Sequence, residues 1–238
     1  MKPVVPAIVR AFGSALQQTL DRDLVAVYLG GSYSMDDFVP GFSDYDLMVI
    51  VDRPLAPVDL TRVASAHESI ARLPEFERLE GDYVPRDWLV SSGTTQPVDW
   101  FRSGRLQPGR EFMLSADNIA NIRSQGIAIV GPLPRTLLPQ PTRDEVRAAV
   151  REMLADDELP ATEAKAADEI LALLRSMRAL ETGKPTTKSE GLHWGIDHVD
   201  PRWLDVIRFA DQVRRGERVD ESRTTLRAAL AELRRALL

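Results

Sequence analysis

The stretch DYDLMVIV, residues 44–51, constrains the fold more than any other part of the chain. Five apolar residues in a row, from Leu47 to Val51, follow two carboxylates, Asp44 and Asp46. A strand with one face in water alternates apolar and polar residues, whereas an unbroken apolar run fits a strand covered on both faces. Such a strand needs helices on both sides of its sheet. Residues 5–20 and 57–73 have helical spacing, the second with Asp59 as N-cap. LVAVYLG (24–30) reads as a second buried strand and FERLEGDYV (76–84) as a third. ADNIANIRSQGIAIVGP reads as a helix running into a short strand at 127–130.

A break follows. Residues 132–142 contain four prolines, which end any regular element there. Beyond it only helical patterns occur, at 142–156, 163–182, 202–215 and 221–237. The expected architecture is an α/β domain on a mixed sheet over residues 1–139, followed by an all-α bundle over residues 140–238.

Composition narrows the function. The net charge is −6, carried by both halves: 13 Lys and Arg against 17 Asp and Glu up to residue 141, then 17 against 19. This argues against a nucleic-acid platform. With no cysteine, disulfides and thiolate metal sites are excluded, which fits a reducing cytoplasm. The N-terminal segment lacks a signal peptide's apolar core, and no stretch approaches the roughly 20 apolar residues of a membrane span. Lysine occurs only at positions 2, 165, 184 and 188.

Chemistry concentrates around the central strand. Gly30-Gly31-Ser32 directly follows the first strand, and eleven residues separate Ser32 from Asp44. Glycines there allow a sharp turn whose backbone N–H groups, with the Ser32 hydroxyl, can hold phosphate oxygens. Residues i and i+2 of a strand share a face, so Asp44 and Asp46 converge. Two such carboxylates repel unless a cation lies between them, and Mg²⁺ shared with nucleotide phosphates suits the pair. Glu80 and Asp82 share a face in the same way. An acid there can ligate a metal or take a proton from an attacking hydroxyl. Taken singly, a GGS is a turn and an Asp-x-Asp is a solvated strand end; in this order and context they form a metal and nucleotide signature.

These residues resemble the nucleotidyltransferase superfamily of the DNA polymerase β type, whose signature is Gly-Ser, a spacer, then Asp-x-Asp on a strand. Within it the chain is most similar to the streptomycin and spectinomycin adenylyltransferases. RLEGDYV matches the strand of that family's catalytic glutamate, which falls on Glu80. NIRSQGIAIVGP matches the end of its first domain, and LRSMRALETGKPTTKSEGLHW a helix, Thr-Gly-Lys turn and second lysine of its second. The resemblance implies an active site between two domains, ATP as substrate with Mg²⁺, and Arg175 and Lys188 on the triphosphate. Lys184 opens the turn, and Trp194 packs. Without the resemblance, Lys184 and Lys188 read as a solvated loop.

Departures are equally specific. The spacer is about a residue longer. The acids set before the Arg175 helix to hold a cationic drug are not evident in ATEAKAADE, which carries Lys165, and Arg214 stands where a tyrosine is expected. AMP transfer to a hydroxyl of an aminoglycoside-like small molecule is therefore the first reading, by a monomer free of membrane. A different acceptor (another small molecule, a tRNA or a protein) is the second, and a silent nucleotide sensor the third. Either Glu80 or Asp82 can be the base. Trp100, in the expected loop QPVDWFRSGR, can stack on an acceptor; Trp88 and Trp203 read as core or cleft wall. His67, His193 and His198 lack metal-ligand spacing and read as surface or packing residues. The acids at 156–158 read as solvated, as do Asp36 and Asp37.

Overall fold

The computed structural model describes residues 4–90, 95–155, 159–217 and 225–238. The acidic run at 156–158 and the start of the helix expected at 221–237 lie outside the described residues. The chain divides into two compact units, Met1–Phe38 with Ser43–Pro141, and Val39–Phe42 with Thr142–Leu238.

In the first unit the elements are α1 (Ala7–Leu20), β1 (Leu24–Leu29), the single turn α2 (Gly31–Ser34), β2 (Tyr45–Val51) and α3 (Pro57–Ser69). They continue as β3 (Leu79–Pro85), β4 (Thr95–Arg102), β5 (Arg105–Met113), α4 (Ala116–Gln125), β6 (Ile127–Val130) and the short α5 (Pro134–Leu137). The sheet runs β5-β4-β3-β2-β1-β6. Among the described residues, only β2 and β3 pair in parallel and the other strand pairs are antiparallel, so the sheet is mixed.

The apolar run of β2 serves two cores. Tyr45, Leu47, Val49 and Val51 pack with Phe12 and Leu16 of α1 and Val63 and Ala66 of α3. Met48 and Ile50 turn to the other face, against Ile119 and Ile122 of α4. Burying a side chain such as Phe12 or Ile50 contributes roughly 1.5–3 kcal/mol each, which fixes both the pairing and the register of β2. A one-residue slip would bring Asp46 into the α1 and α3 core.

Three expectations are corrected here. Asp59 does not cap α3: Ala56 does, because Pro57 takes the first helical position. Asp59 sits three residues in, where its Oδ2 accepts the Ala56 amide at 3.1 Å and an Arg53 N–H at 2.8 Å. Residues Phe76–Arg78 form a 3₁₀ turn, and strand β3 begins only at Leu79. QPVDWFRSGR is not a loop. It forms most of β4 and the turn into β5, with Arg102 opposite Arg105 and Ser103 and Gly104 both at positive φ (50° and 70°). Two consecutive residues of positive φ are the geometry of a tight hairpin turn.

Among the described residues, the regular elements of the second unit are all helical: α6 (Arg143–Leu154), α7 (Glu163–Thr182), α8 (Lys188–His198), α9 (Leu204–Arg214) and α10 (Leu226–Leu237). Its core gathers Ile170, Leu171 and Leu174 of α7 with Ile207, Leu230, Leu233 and the buried Trp203. Helix α8 is an addition to the four helical patterns read from the sequence. Its start is a capping box, with the Thr187 hydroxyl accepting the Glu190 amide and the Glu190 carboxylate accepting the Thr187 amide. Gly191 and Gly195 lower its helix propensity, which hides it in sequence. The same two residues let it lie on α7 at Arg175 and Leu174. Among the described residues, no helix is long and apolar enough to cross a membrane.

Candidate active site

The glycine turn and the second carboxylate of Asp-Tyr-Asp form one interlocked feature. At the end of β1 the Gly30 amide donates to the Asp46 carbonyl at 2.8 Å, tying the turn to the start of β2. Gly31 then adopts φ +56°, and a Cβ built on it would lie 1.8 Å from Asp46 Oδ2. No side chain fits there. The Gly31 amide donates to Asn121 Oδ1 of α4 at 3.2 Å, so α4 clamps the turn from behind. Ser32 stands next, in the first turn of α2, where N–H groups have no partner within the helix.

Strand register brings the acids together. Tyr45 points into the α1 and α3 core, where its ring stacks on Phe38 at 5.0 Å and its hydroxyl donates to Glu75 at 3.0 Å. Burial, with that bond, pushes the Tyr45 hydroxyl up to about 12. Alternation therefore puts Asp44 and Asp46 on the opposite face, both exposed. In the parallel β2 and β3 pair, Asp46 lies opposite Glu80 and Met48 opposite Asp82. Asp82 in turn lies opposite Trp100 of β4. One sheet face thus carries Asp46, Glu80, Asp82 and Trp100 in a row across three strands.

Two arginines that sequence reading passed over complete this face. Arg102 Nε lies 3.7 Å from Glu80 Oε2. Arg110 of β5 donates to Asp82 Oδ1 at 2.7 Å and holds its guanidinium carbon 4.2 Å from the centre of the Trp100 ring. Burial raises the Glu80 carboxyl above the ordinary carboxylate value; Arg102 opposes the rise and Asp44 adds to it. Burial also raises Asp82, against the bond from Arg110. Asp44 thus acts on Glu80 electrostatically, and Asp46 lies opposite Glu80 in register. Their oxygens are hard ligands of the kind Mg²⁺ takes, and the Gly31 cradle keeps the Asp46 carboxylate at the turn. Among the described residues, no three Asp, Glu or His side chains are already gathered as a metal cage. Mg²⁺ does not require one, since it is held by one or two carboxylates together with substrate phosphates.

The candidate basic residues belong to the second unit. Arg175 is half-buried in α7, next to the Gly191 contact with α8. Lys188 is the first residue of α8, and its ammonium pairs with Asp168 of α7. Asp168 and Arg175 are seven residues apart, so both lie on the α7 face that receives α8. Lys184 is exposed in the turn before α8. Arg214 donates to the Ser189 hydroxyl at 3.3 Å. Trp194 packs its ring on His198 at 4.8 Å and donates its indole N–H to Glu181 at 2.7 Å. Of the remaining histidines, His67 is a core residue, enclosed by Phe12, Phe101 and Tyr83.

Sequence reasoning missed Asn121, Arg102, Arg110 and Asp168. For the arginines a signal was present: Ser103-Gly104 is a two-residue turn between apolar stretches, and folding the hairpin about it brings both arginines to the acidic strand. Asn121 has no such local signal, because its partner is 90 residues away in the chain.

Two family models match the chain, a nucleotidyltransferase domain over residues 9–100 and the C-terminal domain of aminoglycoside adenylyltransferases over residues 130–238. Among solved structures, a spectinomycin adenyltransferase from Enterococcus faecialis, crystallised with ATP and spectinomycin, is similar with a TM-score of 0.75 at 15% sequence identity. The match covers 97% of this chain and 98% of that one. Identity this low speaks for the fold alone. No curated protein sequence matches.

Proposed function

We propose, from the premise that the chain belongs to the nucleotidyltransferases of the aminoglycoside adenylyltransferase family, that it transfers AMP from Mg-ATP to a hydroxyl of an aminoglycoside-like small molecule. Pyrophosphate is the other product. The observation that carries this reading is the interlock of Gly31 with Asp46, in register with Glu80. It joins a phosphate-type turn, a metal-type carboxylate and a candidate base in one place.

Each residue has a role in the proposed reaction. In the Gly31-Ser32 turn the Gly31 amide already donates to Asn121, so phosphate oxygens are bound by the Ser32 amide and hydroxyl at the start of α2. Asp44 and Asp46 would hold Mg²⁺, with Glu80 as a further ligand; when bound, the ion offsets negative charge on the triphosphate. Arg175 and Lys188, with Lys184 nearby in sequence, bind the β and γ phosphates. Glu80 accepts the proton of the acceptor hydroxyl as its oxygen bonds to the α-phosphorus and the bond to pyrophosphate breaks. Burial suits Glu80 to this, since a carboxylate of raised pKa is the stronger base near neutrality. Asp82 is less suited, being bound by Arg110.

The reading is tested by pyrophosphate release with Mg-ATP across a panel of aminoglycosides, with Asp46→Asn alongside. Release dependent on one drug and abolished in the variant supports it. Wild-type turnover in Asp46→Asn would refute the metal assignment. ATP binding without release on any drug would favour another small-molecule acceptor, a second reading that the arginines paired with Glu80 and Asp82 already support.

A further inference from the structure

We propose that Glu75 and Arg78 are positioning residues: from one 3₁₀ turn they hold Tyr45 and Ser43, the two chain neighbours of Asp44, and so fix a carboxylate that lies just outside the strand ladder. The task given to Asp44 rests on the metal reading above, but the strap that holds it is a matter of contacts.

Asp44 and Asp46 are alike in sequence and are held by different means. Asp46 lies inside β2, opposite Glu80 of β3, and its carbonyl accepts the Gly30 amide at 2.8 Å. Among the described residues, the β2 and β3 ladder begins with Tyr45 opposite Leu79, and pairing of β2 with β1 begins at Leu47. Asp44 is exposed and precedes both. Chain at the end of a ladder opens first unless side chains tie it down.

Two side-chain bonds tie the chain on either side of Asp44. The Tyr45 hydroxyl donates to Glu75 Oε1 at 3.0 Å, and Arg78 Nη1 donates to the Ser43 carbonyl at 3.1 Å. Both partners come from one turn, closed by the Arg78 amide donating to the Glu75 carbonyl at 3.0 Å. Glu75 opens that turn at φ 65°, a conformation that a non-glycine residue keeps where its surroundings fix it. The Tyr45 ring cannot swing away. It is 3% exposed, stacked on Phe38 and met at its edge by Tyr33 at 5.7 Å. The turn then runs directly into Leu79 and Glu80 of β3. One turn therefore sets the start of both acid-bearing strands, and the placing of Asp44 relative to Glu80 depends on its contacts.

Nitrogen relaxation of the full-length protein tests the strap without metal or nucleotide. In wild type the Asp44 amide has the order parameter of rigid backbone, about 0.85. In Glu75→Ala and in Arg78→Ala it falls toward about 0.6 while Asp46 stays rigid. Glu75→Gln, which still offers Tyr45 an acceptor, keeps Asp44 rigid. Tyr28→Phe is the control, since it loses a bond of the same kind, from the Tyr28 hydroxyl to the Pro132 carbonyl at 3.0 Å, away from the strap. An Asp44 as rigid in both alanine variants as in wild type overturns the proposal, as does equal loosening in Tyr28→Phe. Calorimetry with Mn²⁺ and a non-hydrolysable ATP analogue reads the consequence. Glu75→Ala and Arg78→Ala bind Mn²⁺ at least ~10-fold more weakly, as does Asp44→Asn, while Glu75→Gln and Tyr28→Phe bind as wild type does. Wild-type affinity in the alanine variants beside a weakened Asp44→Asn refutes the positioning role. If Asp44→Asn itself binds Mn²⁺ as wild type does, the metal reading of Asp44 fails, while relaxation still decides whether the strap exists.

Discussion

Gly31→Ala is the sharpest test of the interlocked turn. The new Cβ would lie 1.8 Å from Asp46 Oδ2, 2.6 Å from its Cγ and 2.9 Å from its Cβ. Rotating the Asp46 side chain clears the first two contacts but not the third, which belongs to the strand itself. The turn and β2 would have to separate, against the 2.8 Å bond from the Gly30 amide to the Asp46 carbonyl. Holding alanine at φ +56° adds roughly 1–2 kcal/mol, and the overlap a further ~1–3 kcal/mol. The variant should lose stability in urea unfolding by the sum of these. Misplacing Asp46 by about 1 Å should cost ~10²-fold in pyrophosphate release. Gly41→Ala separates the two contributions. Gly41 has φ +86° but nothing within 4 Å of a built Cβ, so it should lose only the conformational share and keep its turnover. Equal stability losses and full turnover in both variants would show that the Gly31 contact with Asp46 has no role in the reaction.

Further outcomes follow from single contacts. Glu80→Gln should still bind Mg-ATP in calorimetry while turnover falls by about 10²–10⁴; retained turnover would move the base to Asp82 or to water. Arg102→Ala removes the nearest cation holding Glu80 down, so the acidic limb of the kcat/KM profile should shift to higher pH; a shift to lower pH would contradict the pairing. Asn121→Ala removes the acceptor of the Gly31 amide and should cost about 1 kcal/mol in unfolding, with a larger loss of turnover than of ATP affinity. His67 should make stability depend on pH. With the ring neutral, Nδ1 donates to the Gly104 carbonyl at 2.7 Å and Nε2 accepts from the Tyr83 hydroxyl at 2.6 Å. Burial holds its pKa below the usual 6.5, so the unfolded chain takes up a proton first as pH falls. Its contribution is complete above about pH 6.5 and declines below it; urea midpoints at about pH 7.5 and 5.5 should differ less in His67→Gln than in wild type.

How much was legible in sequence depends on the range of each interaction. The run from Leu47 to Val51 is a local statement about covering both sheet faces, and it gives the α/β class and the place of β2 at the sheet centre. Asp44 and Asp46 share a face by alternation alone. That Glu80 lies opposite Asp46 is a matter of register between strands 34 residues apart, and there the family resemblance supplied what spacing could not. The β4 and β5 hairpin was obscured because Pro97 and Pro108 break the alternating pattern. Helix α8 was obscured by its glycines. Asp168 cannot be read from ATEAKAADE as the partner of Lys188, because the two meet only when α8 folds onto α7.

The row of residues across the sheet also has a direction. At one end, Asp46 is bordered by Gly31, whose missing side chain leaves room for the carboxylate beside the start of α2. At the other end, Asp82 is bordered by a guanidinium and an indole. A polyphosphate with its metal can approach carboxylates only where backbone donors and no bulk surround them, which is the Asp46 end. A polyhydroxylated acceptor gains most from an aromatic wall and a fixed donor fork, which is the Asp82 end. Glu80 lies between the two, in register with Asp46 and on the same strand as Asp82. A base that takes a proton from the acceptor while the α-phosphorus is attacked must occupy that middle position. The side-chain order along the face therefore supports Glu80 over Asp82 independently of either group's acidity.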